Sequence, residues 1–276
     1  MAIHLLHGDS NSTDPFKIKA RLDELLKGIP REGNLNFTTF DLSTSGTSFH
    51  DVVSSALTVP FLGGGRTVVA GSLKAFEKRF FQMHDKKDEG ESKDEPEDDV
   101  GGSAEEIIRS VEQLASLPDN ALLILVEEND HLDGRTRFYK ALTKVGCQVE
   151  SFKAMWFDPA SGRDDDIRSV VEFVQEHASR LGLRLSKQLA EKVAIRVGAD
   201  SGTIVKELEK LVLYVGKGAQ ATPEDIEAVI TRSYEAGIFQ LVDLVGQGQT
   251  GKAIEALTDL MDHGAAAPYI LAMLAR

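Results

Sequence analysis

The chain has 276 residues, 42% of them hydrophobic, a formal net charge of −13 and one cysteine. This length can bury a substantial core and suggests about two domains. The charge argues against a broad nucleic-acid-binding face, and the single Cys147 excludes an internal disulfide and points to the cytosol. No apolar run approaches the roughly 18 residues that cross a bilayer, and no basic leader followed by an apolar stretch opens the chain, so no membrane role is expected.

The first element is an apolar strand over Ile3 to Leu6, followed by the turn HGDSNSTDPF, where a nucleotide-binding α/β domain places its phosphate cradle. A Walker loop needs several converging glycine N–H groups, then a Lys and a Ser or Thr for the phosphates and magnesium. This turn has one Gly, two Asp and no Lys before Lys17, and Asp14-Pro15 reads as the cap and first residue of a helix to Lys27. The domain therefore lacks a P-loop, and neither a nucleotide cofactor nor a bound metal is expected.

A second strand follows at Phe37 to Phe40, then a helix capped by Ser48 and running to about Leu57, then a third strand at Arg66 to Ala70. From Asp85 to Asp99 the chain reads DKKDEGESKDEPEDD, nine acids against three lysines with nothing aliphatic or aromatic to bury. An acidic insertion over about 84–102 is expected to be disordered. Ser103 and Glu106 form a capping-box pair ahead of a helix to Leu117. The run ALLILV, Ala121 to Val126, suits a central parallel strand covered on both faces. A helix over Arg135 to Val145 and a strand over Gln148 to Phe152 complete a five-stranded, mostly parallel, doubly wound sheet spanning 1–158.

Beyond Lys153 the period is helical. Helices are expected at Asp165 to Arg180, Ser186 to Val197, Ser201 to Val215 and Thr222 to Thr231, forming a second domain over 159–232. Trp156 and Phe157 read as packing for the seam before it. A third segment, 233–276, carries FQLVDLV, IEALTDLM and YILAMLA, three apolar helical stretches.

Four segments resemble the delta subunit of the bacterial DNA polymerase III clamp loader: LLHGD at the start, VPFLGGGRTVV at 59–69, ALLILVEENDHLDGRTRFYKALTKVG, and IVKELEKLVLYVGKGAQATPEDIEAVI followed by SYEAGIFQLVDLV. The family opening often carries Glu where Ser10 stands. The resemblance implies an α/β plus all-α architecture: an AAA+-like five-stranded sheet domain without a working nucleotide site, a helical lid and a helical collar. Family members continue for several helices past the position of Arg276, so the collar is expected to be incomplete. The implied role is a non-catalytic subunit that opens the sliding clamp, the beta subunit, during replication. The implied partners are the ATP-hydrolysing tau/gamma subunits and delta prime, with DNA reached only through the loader.

By position, the resemblance makes Phe61 and Leu62 the wedge that enters an apolar pocket on the clamp, with Val59, Pro60, Gly63, Gly64, Gly65 and Arg66 as support. Burying both large side chains would contribute about 3 to 5 kcal/mol before ordering costs. From the residues alone, the plainer reading is that Phe61 and Leu62 cap the sheet core, and Arg66 could equally pair with an acid on a partner or in a local ion pair. Gly63 to Gly65 precede a strand, whereas phosphate geometry requires a helix N-terminus. Glu127, Glu128, Asn129 and Asp130 follow the ALLILV strand, a favoured place for ligand residues, but no second acidic group or phosphate loop completes a hydrolytic site. Two rival readings, a nucleotide-hydrolysing enzyme with an atypical site and a DNA-binding adaptor using the helical half, are separable by magnesium-dependent ATP binding and by salt-dependent DNA affinity.

Overall fold

A computed structural model describes residues 2–61, 63–79, 103–156, 164–231, 234–262 and 267–274. The acidic insertion expected at 84–102, Leu62 and Phe157 lie outside them. The chain divides into two compact units, Met1–Lys153 and Ala154–Arg276.

In the first unit the strands are β1 (Ala2–Gly8), β2 (Phe37–Asp41), β3 (Arg66–Gly71), β4 (Ala121–Val126) and β5 (Gln148–Phe152). The helices are α1 (Pro15–Leu25), α2 (Phe49–Leu57), α3 (Leu73–Glu77), α4 (Ala104–Gln113) and α5 (Arg137–Lys144). The sheet is wholly parallel, in the order β2-β3-β4-β1-β5. Hydropathy tracks position in it. The internal strands β1 and β4 are buried almost throughout, while the edge strands β2 and β5 are only partly covered, as expected when helices cover both faces of the central strands.

The period of two along each strand splits the core. Ile3, Leu5, Val68, Leu123 and Leu125 share a core with residues of α2, α3, α4 and α5, where Phe49, Phe76 and Phe138 meet with ring centroids 5.2 to 5.6 Å apart. Leu6, Ile124 and Val126 pack on the opposite face against Ile18 and Leu26, at and just beyond α1. Helix starts follow local capping: Asp14 accepts from the Lys17 N–H, and Ser48–Asp51 and Ser103–Glu106 form reciprocal capping boxes. The first helix ends at Leu25, two residues short of the expected Lys27.

The short α3 is absent from the sequence reading. Ser72 before it has φ 62° and makes no side-chain cap; instead Glu127, at the end of β4, accepts from the Lys74 N–H at 2.7 Å. The helix start is thus capped by a residue distant in sequence.

The second unit holds α6 (Asp164–Arg180), α7 (Lys187–Val197), α8 (Ser201–Val215), α9 (Pro223–Val229), α10 (Tyr234–Gly246), α11 (Thr250–Asp262) and α12 (Ala267–Leu274). Buried Glu207 on α8 accepts from the Thr231 N–H at 3.1 Å, and Arg196 on α7 donates to the Ile230 carbonyl at 2.7 Å, which ties α7, α8 and the end of α9 together. Ile238, Leu241, Ala253, Leu260 and Ile270 form a separate core for α10 to α12. Trp156, expected as seam packing, is exposed.

Candidate functional site

Because every strand runs the same way, the loops entering β2, β3 and β4 share one edge of the sheet, its amino edge. Among the described residues of the first unit, the large apolar side chains that stand exposed are Leu35, Val59 and Phe61, at 70%, 81% and 59%. All three lie in loops at that edge. Phe61 therefore does not cap the sheet core, the alternative the residues alone left open.

Local chemistry builds the tip. Thr58 closes α2 in an extended conformation, its hydroxyl donating to the Ser54 carbonyl at 2.7 Å, and Pro60 cannot supply the N–H a further helical turn would need. The chain returns through Gly63 and Gly64, at φ 84° and 85°, a region glycine enters without steric cost. At Gly65 a Cβ would lie 2.9 Å from the Asn120 carbonyl oxygen, which also accepts from the Arg66 N–H at 3.0 Å, so a side chain there would block entry into β3. Asn120 Nδ2 donates to the Gly64 carbonyl at 2.8 Å.

Arg66 braces the base of this loop. Its guanidinium donates to the Ser55 carbonyl and the Leu35 carbonyl at 2.9 Å each, to Thr38 Oγ1 at 2.9 Å and to Ser55 Oγ at 2.5 Å. These acceptors are neutral. In place of the local ion pair the residues allowed, Arg66 forms a brace tying the end of α2 to the loop before β2, because Arg can direct several N–H groups at carbonyls and hydroxyls at once.

Asn36, just before β2, reaches the tip itself. Its Oδ1 accepts from the Phe61 N–H at 2.6 Å, and its Nδ2 donates to the carbonyls of Phe61 at 3.0 Å and Gly63 at 3.2 Å. The sequence reading missed both Asn36 and Asn120. Their partners lie 25 to 56 residues away, and an Asn ahead of a strand otherwise signals only a turn.

The carboxyl edge presents different chemistry. A cleft of about 440 Å³ there is lined by His7, Asp9, His131, Asp133, Arg135 and Tyr139 among others. The Gly8 N–H, which a phosphate cradle would need, donates to the Asp130 carbonyl at 2.9 Å, and a Cβ on Gly8 would collide with Thr13. Asp9 accepts from the Asn11 N–H, closing its own turn, and Arg135 is held by Asp133 at 2.8 Å. Glu127 spends its carboxylate on the start of α3, while the Lys74 ammonium donates to the His131 carbonyl at 3.0 Å. Burial lowers the pKa of His7, which packs edge-on to Tyr139 at 5.9 Å, and raises that of Glu77.

No family model matches the chain. The DNA polymerase III subunit delta of Bacillus subtilis is 20% identical over 242 residues, 87% of this chain. The chain spans 60% of the length of that curated relative. The solved Bacillus subtilis DNA clamp loader delta protein superposes with a TM-score of 0.66 at 17% identity, covering 99% of this chain and 71% of that one. The chain thus has sequence and structural homology to this delta subunit. Its five-stranded parallel sheet with flanking helices and its lid-like helical region match the clamp-loader delta fold.

Proposed function

We propose that this chain is a non-catalytic clamp-loader subunit that binds a ring-shaped sliding clamp, the beta subunit, and helps open it for DNA replication in the cytoplasm. Phe61 and Leu62 act as an apolar wedge, with Val59, Pro60 and Gly63 to Gly65 shaping the loop and Arg66 bracing its base. The exposed Phe61 at a braced amino-edge tip carries this reading, because a large apolar side chain held outside the core is available to a partner's pocket. The role of Leu62 rests on its place in the sequence beside Phe61.

The remaining assignments extend the same proposal to the rest of the chain. The sheet domain over 1–158 is read as the clamp-facing part, 159–232 as a lid and 233–276 as the start of a collar that meets tau/gamma and delta prime. Those ATP-hydrolysing neighbours would control exposure of the wedge. DNA would be met only through the assembled loader.

Recovery of the chain on immobilised sliding clamp tests the wedge. F61A/L62A is expected to lose most of the recovery while circular dichroism stays that of the wild type. Equal recovery of the two proteins would refute the reading.

A further inference from the structure

We propose that Asn36 is the positioning residue of the tip: its carboxamide holds the Phe61 peptide groups and so sets where the Phe61 ring points. This rests on the clamp-binding reading only for its binding arm. A single side chain accepts from the N–H and donates to the C=O of the same residue, Phe61, at 2.6 and 3.0 Å. That two-point contact resembles the exchange between neighbouring strands and fixes the residue's backbone orientation, which one hydrogen bond would leave free to rotate. The further bond to Gly63 at 3.2 Å ties down the turn that follows.

Asn36 is itself anchored. Its N–H donates to Asn34 Oδ1 at 2.9 Å, and its carbonyl accepts from the Thr67 N–H at 2.8 Å, at the base of the β2–β3 ladder. Asn34 in turn donates from Nδ2 to the Pro30 carbonyl at 2.9 Å. A rigid sheet edge thereby extends one carboxamide into a loop that has no ladder of its own. Fixing Phe61 before binding reduces the ordering cost of docking. The Oδ1/Nδ2 assignment follows from chemistry, since the Phe61 N–H can only donate and two carbonyls can only accept.

The test uses the full chain with N36A, N36D, F61A and N36A/F61A. In N36A the Phe61 amide is expected to exchange with solvent about tenfold faster or more, the scale of one to two net hydrogen bonds, while the Val69 amide inside β3 keeps its wild-type rate. An unchanged Phe61 rate overturns the proposal whether or not the chain binds a clamp. On immobilised clamp, N36A and N36D are both expected to bind about tenfold more weakly, N36D because its carboxylate cannot donate to the two carbonyls. N36A should add no further loss to F61A, since it acts through that residue. Additive losses, or N36D binding like wild type, would also overturn it. If F61A/L62A bound as well as wild type, the clamp reading would fail, and the amide rates would still decide the role of Asn36.

Discussion

At Gly64 the backbone sits at φ 85° with open space where a Cβ would be, so the obstacle to substitution is conformational and not a collision. A β-branched residue in that region costs on the order of 1 to 3 kcal/mol, and the loop can relieve the strain only by moving. Gly64→Val is therefore expected to lower clamp recovery with little change in circular dichroism, and wild-type recovery would show that the turn does not govern the tip. Gly65 is constrained differently, by the Asn120 carbonyl at 2.9 Å from a notional Cβ. The glycine run was legible as a turn that is not a phosphate loop. Which glycine serves conformation and which serves clearance depends on Asn120, 55 residues from Gly65. Arg66 shows the same limit: its charge invited an ion-pair reading, but its acceptors are two carbonyls and two hydroxyls.

Helix α2 delivers the chain to the tip, and its start is secured by the reciprocal capping of Ser48 and Asp51. Ser48→Ala removes one acceptor from the helix N-terminus and is expected to cost about 1 kcal/mol in a urea titration. Clamp recovery should be retained, because the tip is held at the other end of the helix by Arg66 and Asn36; lost recovery in a folded Ser48→Ala protein would place control of the tip in α2 instead. The five strands and the long helices were readable because each carries a run or a period that matches its burial. Helix α3 was not: five residues give no period, Ser72 supplies no cap, and the carboxylate that caps it belongs to Glu127.

Across the whole molecule, stability should depend on pH through two buried groups of opposite sign. Burial lowers the pKa of His7 below its ordinary 6.5, so its contribution is present above that value and is lost as pH falls through the lowered folded value. Burial raises that of Glu77 above its ordinary 4.5, so its contribution is complete below that value and is lost as pH rises through the raised one. His7→Met is expected to flatten the loss of denaturant midpoint on acidification below 6.5, and Glu77→Gln to flatten the loss on the rising side. An acid limb unchanged in His7→Met would remove His7 from that account.

At the same scale, the two edges of the sheet divide the chemistry. The carboxyl edge uses Asp9, Asp133 and Glu127 on its own turns and on α3, while the amino edge presents Leu35, Val59 and Phe61 to solvent. Strands of five to seven residues separate these edges by roughly 20 Å. By itself the sequence determined the alternation of strands and helices, the absence of a glycine cradle after β1, the caps and the start of a helical second half, because each is written in neighbouring residues. Only the tertiary structure decided the strand order, the exposure of Phe61 and the hold of Asn36, Asn120 and Arg66 on the tip. Those depend on which distant segments the parallel crossovers bring together, and hydrogen bonds between residues 25 or more apart leave no local period to read.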